Sequence, residues 1–294
     1  MHVFAPQQGD ERLLENFLAE HAESSMFLRS NLRNSGLSFA DRAFHGDYLA
    51  TRSRAEAVTG VLAHYWNGNV MVQAPDPASC HLLADAFRRR VVRPIAGLQG
   101  PTEQVDALLP ALDLCNASFA LFADDGLFVV ERAGLIKPAL LKDQSVEMAA
   151  AAEADRETLR RWVIDYEREA LGRDLNDKLE AEVDQRVQRF NERADWWVLR
   201  IGGRPVAMSA FNARLPDTVQ VGLVWTPPEN RGKTYARAIV ALTLERAFAG
   251  GVERAILFTD NPAAKRAYAA IGFRRCGSYR LAILREPVNL PRPD

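Results

Sequence analysis

The stretch LVWTPPENRGKTYA, residues 223–236, joins an apolar strand to a helix through a short basic turn. The Pro227-Pro228 pair ends the strand, and Gly232 allows the backbone of the turn to approach a bound group closely. The first amides of the following helix have no partner inside the helix, and the helix dipole adds partial positive charge there. Arg231 and Lys233 add two cationic side chains. The stretch therefore predicts a phosphate-binding helix start.

Two other interpretations fit parts of this stretch. It could be a basic surface turn with no ligand. Gly232-Lys233-Thr234 also fits the end of a nucleotide-binding P-loop, but a P-loop has glycine where this chain has Pro227. Asp260 could serve as the magnesium ligand of such a site, yet only 34 residues follow it in the 294-residue chain. Those residues are too few for the remaining strands of that fold, so we reject the P-loop.

The second half of the chain alternates helical and extended patterns. Apolar periodicity predicts helices over residues 156–171, 176–193, 233–248 and 262–270. Apolar runs bounded by turn residues predict strands over residues 196–201, 205–211, 219–225, 255–259 and 279–284.

Residues 224–236, followed by LFTDNPAAKRAYAAIGF at residues 257–273, resemble the two signature blocks of the GNAT acetyltransferase superfamily. Both blocks are present, in order and at the usual separation. The resemblance is close from Glu147 to Arg285 and holds only in outline for the first half. It implies an α/β (α+β layered) fold of two GNAT-like domains, each with a central mixed, mostly antiparallel sheet flanked by helices.

The same resemblance implies an acetyl-CoA site and no metal. In the family, backbone groups at the end of the fourth strand pair with the pantetheine arm, which here points to Leu223, Val224 and Trp225. The diphosphate would lie on the amides of the turn and helix start, which are those of Arg231, Gly232, Lys233, Thr234, Tyr235 and Ala236. Asn261 matches a position that often contacts the cofactor. Tyr268 falls where many members place a tyrosine beside the thioester sulfur.

The turn also departs from the family pattern at two positions. The pattern usually opens with Gln or Arg and ends with Gly or Ala, whereas this chain has Glu229 and Thr234. Thr234 reduces backbone freedom but offers a hydroxyl near the helix start. Glu229 is unfavourable near an anion, so the sequence supports the fold more strongly than the affinity for the cofactor.

The reaction that the resemblance implies is N-acetyl transfer to a primary amine of a small molecule or a protein, by direct attack in a ternary complex. Tyr268 would act as general acid and protonate the leaving thiolate; the alternative is that it only packs on an amphipathic helix. Glu180, Glu182 and Asp195 are weak candidates for a general base. The alternative function is that of a non-catalytic module that binds CoA or senses an effector and has kept the fold.

A chain of 294 residues is expected to form two domains. We place the junction in the acidic, alanine-rich stretch from Glu147 to Asp155. Residues 95–101 can be laid over residues 256–262, which indicates a duplicated domain. The first copy lacks a basic glycine turn at residues 74–79 and has Ala107 in place of Tyr268. We therefore predict a degenerate, non-catalytic domain over residues 1–143 and the N-acetyltransferase domain over residues 147–288.

Local patterns in the first half predict further elements. Apolar spacing predicts one amphipathic helix from Glu11 to Phe27, and a strand-rich stretch follows it. Asp124-Asp125-Gly126 has the composition of a hairpin turn.

Bulk composition excludes several classes of protein. The net charge of −1 lacks the basic excess of a nucleic-acid-binding protein. No run approaches the ~18 apolar residues that span a bilayer, and the N-terminus has no signal-peptide pattern. Three distant cysteines fit a reducing compartment rather than a disulfide framework, and they do not have metal-ligand spacing. We expect a cytoplasmic monomer or homodimer that binds neither nucleic acid nor membrane.

Overall fold

The computed structural model describes residues 1–154 and 156–291. They form two compact units, one of Met1–Leu127 with Cys276–Asp294 and one of Phe128–Arg275. The C-terminal segment therefore groups with the first unit, whereas the sequence had suggested a boundary only near the middle of the chain. Asp155, the last residue of the predicted junction, lies outside the described residues.

The strands of the described residues are β1 (His2–Phe4), β2 (Gly46–Arg52), β3 (Val58–Tyr65), β4 (Asn69–Gln73), β5 (Ile95–Pro101), β6 (Phe119–Glu131), β7 (Val146–Ala150), β8 (Trp196–Ile201), β9 (Arg204–Arg214), β10 (Thr218–Trp225), β11 (Arg254–Thr259) and β12 (Arg274–Val288). The α-helices are α1 (Glu11–Glu20), α2 (Met26–Ser35), α3 (Pro77–Arg90), α4 (Thr102–Ala111), α5 (Arg156–Leu171), α6 (Asp177–Arg193), α7 (Tyr235–Ala249) and α8 (Pro262–Ala269).

The first unit has the strand order β1-β2-β3-β4-β5-β12. Neighbouring strands are antiparallel except for β4 and β5, which are parallel. Two apolar clusters cover this sheet. One joins leucines of α1 and α2 to β2 and β3, and the other joins α3 and α4 to β4, β5 and β12.

The first unit differs from the sequence prediction at two places. The predicted helix from Glu11 to Phe27 is wrong, because α1 ends at Glu20 and a separate helix, α2, begins at Met26. Apolar periodicity misses α2 because Arg29 and Asn31 are polar and yet buried. The predicted hairpin turn at residues 124–126 is also wrong, because these residues lie inside the continuous strand β6.

The second unit has the strand order β6-β11-β10-β9-β8-β7, and residues 128–131 of β6 belong to it. β7 to β10 are antiparallel neighbours, whereas β10 and β11 are parallel. The fold class is therefore confirmed: each unit has a mixed, mostly antiparallel sheet with helices packed on it.

Apolar side chains from both faces of the second unit's sheet form its core. α7 is buried along most of its length, with Ile239 and Leu244 fully inaccessible, and packs with α8 in one cluster. α5 and α6 pack in a second cluster around Trp162 and Trp196. Burying one such aliphatic side chain contributes roughly 1.5–3 kcal/mol, so these clusters hold the strand ends that carry the candidate site.

Candidate active site

The parallel strands β10 and β11 are paired only over part of their length. Thr218 to Gln220 are in register with Arg254 to Ile256, and the pair of Gln220 with Ile256 is the last. Beyond this pair, β10 continues to Trp225 and β11 to Thr259. The carboxyl ends of both strands therefore lie at the same edge of the sheet, where binding sites of α/β folds commonly form.

A β-bulge interrupts β10 just before its end. Gly222 lies opposite Ala210 and Trp225 opposite Met208, so three steps along β10 match two along β9. Leu223 lies in this bulge with φ +49° and is almost fully buried. A left-handed backbone at a buried leucine is strained, and such strain is concentrated at functional sites. Leu223, the first residue predicted to pair with the pantetheine arm, therefore has an unusual backbone.

The turn before α7 contains two residues in the left-handed region. Gly232 has φ +78° and Thr234 has φ +70°. No heavy atom lies within 4 Å of the position that a Cβ of Gly232 would occupy, so the space above this glycine is open. The glycine is needed here for its backbone conformation, while the open space leaves room for a bound group.

Three consecutive amides of this turn have no acceptor among the described residues, whereas the Arg231 amide donates to the Pro228 carbonyl. The hydrogen bonds of the helix begin with Ala238, whose amide donates to the carbonyl of Thr234 at 3.0 Å. In the described part of the chain, no acceptor is found for the amides of Gly232, Lys233 and Thr234, and these residues are exposed or half-buried. Successive unpaired amides at a helix start form a concave anion site.

Arg231 is held by three groups. Its Nη2 atom lies 2.9 Å from the Glu169 carboxylate of α5, and its Nε donates to the Thr226 carbonyl at 3.0 Å. Its guanidinium carbon lies 4.8 Å from the centre of the Trp225 ring. Of these three contacts, the ion pair with Glu169 would compete with a bound anion.

Two further cations lie in the turn and the first helical turn. Lys233 Nζ donates to the Glu229 carbonyl at 3.2 Å, so the backbone of Glu229 is what contacts this ammonium. Arg237 Nη2 donates to the Thr234 hydroxyl at 2.8 Å. Sequence reasoning missed Arg237, although its place three residues after Thr234 on a helix puts both on one side.

Asn261 caps α8. Its Oδ1 accepts from the amides of Ala263 at 2.8 Å and Ala264 at 3.2 Å. The carboxamide therefore has its oxygen engaged and its NH2 group left as a donor. Asn261 is exposed and lies two residues after the end of β11, with Asp260 between them. The structure thus places it at the same sheet edge as the end of β10.

Tyr268 is buried on α8, and its ring packs edge-on against Phe273 at 5.8 Å. Burial, and then the nearby Tyr166, raise the pKa of its phenol well above 10. The phenol therefore stays protonated throughout the physiological range and can act as a proton donor but not as a base.

The three acidic side chains considered as bases are all paired with arginines. Glu180 lies 2.7 Å from Arg160, and Glu182 lies 2.6 Å from Arg173. Asp195 is nearly buried and lies 2.9 Å from Nε of Arg214. Because an arginine holds each carboxylate, the geometry singles out none of the three as a catalytic base.

The first unit has different chemistry at the start of α3. The Asp76 carboxylate accepts from the amide and the hydroxyl of Ser79, both at 2.9 Å, and these hydrogen bonds lower the pKa of Asp76. The chain's own carboxylate thus lies where an anion would bind. On the adjoining strands, a Cβ on Gly100 would lie 2.8 Å from the Val72 carbonyl oxygen. The strands β4 and β5 therefore do not separate at Gly100.

Two features are absent from the described residues. These residues contain no group of three or more His, Cys, Asp or Glu side chains arranged to hold a metal ion. Among the helices of the same residues, none combines the length and the apolar character needed to cross a bilayer.

Solved structures define the class of fold. A GCN5-related N-acetyltransferase from Kribbella flavida aligns with TM-score 0.57 and 17% identity, over 91% of this chain and 96% of that one. One from Sphaerobacter thermophilus aligns with TM-score 0.54 and 13% identity, over 98% and 97%. A tandem GNAT protein from the clavulanic acid biosynthesis pathway gives TM-score 0.54 and 13% identity, over 98% and 99%. At these identities the similarity concerns the fold.

A family model also matches part of the sequence. Residues 156–273 match the model described as the acetyltransferase (GNAT) family. The resemblance seen in the two signature blocks is therefore confirmed. A search of curated proteins found no match.

Proposed function

We propose that the second unit binds acetyl-CoA and transfers its acetyl group to a primary amine by direct attack in a ternary complex. The amides of Gly232, Lys233 and Thr234, which lack acceptors in the described residues, carry this proposal. A diphosphate supplies the oxygen acceptors that these amides lack, at the positive end of the α7 dipole. The match of residues 156–273 to an acetyltransferase family model supports the same ligand.

The remaining cofactor contacts follow from the surroundings of this turn. The backbone of Leu223, Val224 and Trp225 would pair with the amide-containing arm of CoA beyond the last β10–β11 pair. The amides of Tyr235 and Ala236 would extend the diphosphate site. The amide of Arg231 donates to the Pro228 carbonyl at 3.2 Å, so Arg231 would contribute through its side chain instead. Asn261 would donate through its free NH2 group.

Acetyl-CoA supplies the thioester that the amine attacks. The protein's part is to align the reactants and to provide a proton at the sulfur. Tyr268 suits this step because its buried phenol keeps its proton. We propose that Tyr268 Oη protonates the leaving thiolate, and that the first unit binds no cofactor because Asp76 occupies its helix start.

Thermal stability with ligand tests cofactor binding. Acetyl-CoA at 100 times its dissociation constant should stabilise the second unit by about 2.7 kcal/mol. Gly232→Asp should abolish the shift, because it adds a carboxylate to the anion site. Gly203→Asp is a matched control, since Gly203 has the same φ of +78° and equally open surroundings in another turn. An equal shift in both variants would contradict the proposed site.

A non-catalytic CoA-binding or effector-sensing module is the second candidate. The observation that favours it is the ion pair of Arg231 with Glu169, which holds a predicted cofactor residue away from an anion. Thiol release from acetyl-CoA across a panel of amines separates the two candidates. Binding without thiol release would support the module.

A further inference from the structure

The strand β7 is the outermost strand of the second unit's sheet. In the described part of the chain, no strand pairs with its outer side. The unpaired amides and carbonyls of such an edge can accept a further strand, and proteins usually block them with charged residues, proline or a covering element. Glu147 is the only charged residue of β7, and the strand contains no proline. The edge of β7 is therefore weakly protected against strand addition.

The ladder between β7 and β8 shows which backbone groups face outward. The Gly202 amide donates to the Ser145 carbonyl at 3.1 Å, in the register of the antiparallel pairs that follow. Hydrogen-bonded and non-hydrogen-bonded pairs alternate along such a ladder. Every second residue, starting from Glu147, therefore bonds to β8. The backbone groups of Met148 and Ala150 point away from β8, toward the free edge.

A cavity of about 440 Å³ follows this edge. It is lined by four consecutive residues of β7, two of β8 and one of α7, which are Glu147, Met148, Ala149, Ala150, Trp197, Arg200 and Arg246. Four consecutive strand residues extend over about 10 Å, so the cavity runs along the strand. Its volume is within the range of binding sites in proteins. The cavity therefore suits a segment of extended chain.

The charged side chains of the cavity favour an acidic occupant. Two arginines and one glutamate line it. Arg246 lies in the last turn of α7 and is exposed, and no partner for its guanidinium is found among the described residues. The carboxylate of the adjacent Glu245 is paired with Lys137. A carboxylate on an added strand would therefore complement Arg246.

The cavity is separate from the candidate active site. Both involve α7, but the phosphate turn precedes this helix and Arg246 lies in its last turn. The helical rise from Thr234 to Arg246 is about 18 Å. An occupant of the β7 edge is therefore independent of the proposed acetyl-CoA site.

We propose that the edge of β7 binds an extended acidic segment of a partner protein, which joins the sheet as an added strand. Main-chain hydrogen bonds to Met148 and Ala150 hold the segment, and its side chains alternate between the two faces of the sheet. Met148 packs in the apolar cluster that includes α7, so alternate side chains of the added strand lie on the α7 side. A carboxylate there pairs with Arg246, beside the Trp197 ring.

A capped pentapeptide, acetyl-Val-Asp-Val-Asp-Val-amide, tests the edge directly. With the peptide at millimolar concentration, hydrogen exchange measured by NMR should slow at least about fivefold at the Met148 and Ala150 amides. Exchange at the Glu147 and Ala149 amides, which already bond to β8, should not change. The same peptide N-methylated at alternate amides cannot form the ladder and should protect none of them. Protection by both peptides, or by neither, would overturn the proposal.

Two variants separate the backbone from the charge. Ala150 has φ −60°, which proline adopts without strain, so Ala150→Pro should leave the melting temperature unchanged while it removes an outward amide and abolishes binding. Arg246→Glu should raise the Kd of the labelled peptide, measured by fluorescence anisotropy, at least about tenfold. Arg161→Glu makes the same charge change at an exposed residue of α5 and is the matched control.

The outcomes of these measurements are distinct. Unchanged peptide binding in both Ala150→Pro and Arg246→Glu contradicts the assignment of the edge. Self-association of the wild-type chain that is lost in Ala150→Pro, measured by analytical ultracentrifugation, would show that a second copy occupies the edge and would refute a separate partner. Loss of binding in both variants, with binding retained in Arg161→Glu, supports the proposal.

Discussion

Burial of a single phenol determines the chemistry available to Tyr268. Because the pKa of this group is raised well above 10, wild-type activity should show no loss from tyrosine ionisation up to about pH 10. Tyr268→Phe should lower kcat by at least about a hundredfold and leave the KM for acetyl-CoA unchanged. Steady-state thiol release between pH 6 and 10 measures both. A variant with wild-type kcat would reduce Tyr268 to a packing residue.

The ion pair of Arg231 with Glu169 would compete with a bound cofactor. Glu169→Gln removes the negative charge and frees the guanidinium for a phosphate. Since partly exposed pairs contribute up to about 1 kcal/mol, the Kd of acetyl-CoA should fall about two- to fivefold, as measured by calorimetry. Glu157→Gln, on an exposed residue of the same helix, is the control. A weaker affinity in Glu169→Gln would mean that the pair positions Arg231 for the cofactor.

Helix caps decide where the elements around the site begin. Asn176 caps α6 by accepting from the Leu179 amide at 2.9 Å, and it fixes the first turn of a helix that buries Val183 and Val187. Asn176→Ala should lower the free energy of unfolding of the second unit by about 1 kcal/mol, whereas Asn176→Asp, which keeps the acceptor, should cost much less. Denaturant titration measures both, and equal losses would contradict the cap.

Local patterns predicted the elements that carry the candidate site but not the irregularities of its strands. The helix after Gly232 and the helix from Pro262 follow from turn residues and apolar spacing, so both were predicted closely. The two register shifts between β9 and β10 gave no signal in the sequence, because a bulge depends on how two strands align, which is a tertiary property.

The sequence also predicted a last strand at residues 279–284 without indicating which sheet it joins. The period of a strand shows which side chains share a face but not which strand lies beside it. In the structure β12 pairs with β5, and Ala282 and Leu284 join the apolar cluster under α3 and α4. The family segment, residues 156–273, ends before this strand.

A chain that ends at Arg275 should therefore keep the family segment but lose part of the core of the first unit. Leu284 is a buried core leucine, and truncation of such a side chain to alanine costs about 2–5 kcal/mol. The edge of β5 would also lose its partner strand. Limited proteolysis should cleave within residues 1–127 of this chain, whereas acetyl-CoA should still protect residues 156–273. A chain ending at residue 291 retains β12 and is the control. Equal protection of residues 1–127 in both chains would mean that β12 is dispensable for the first unit.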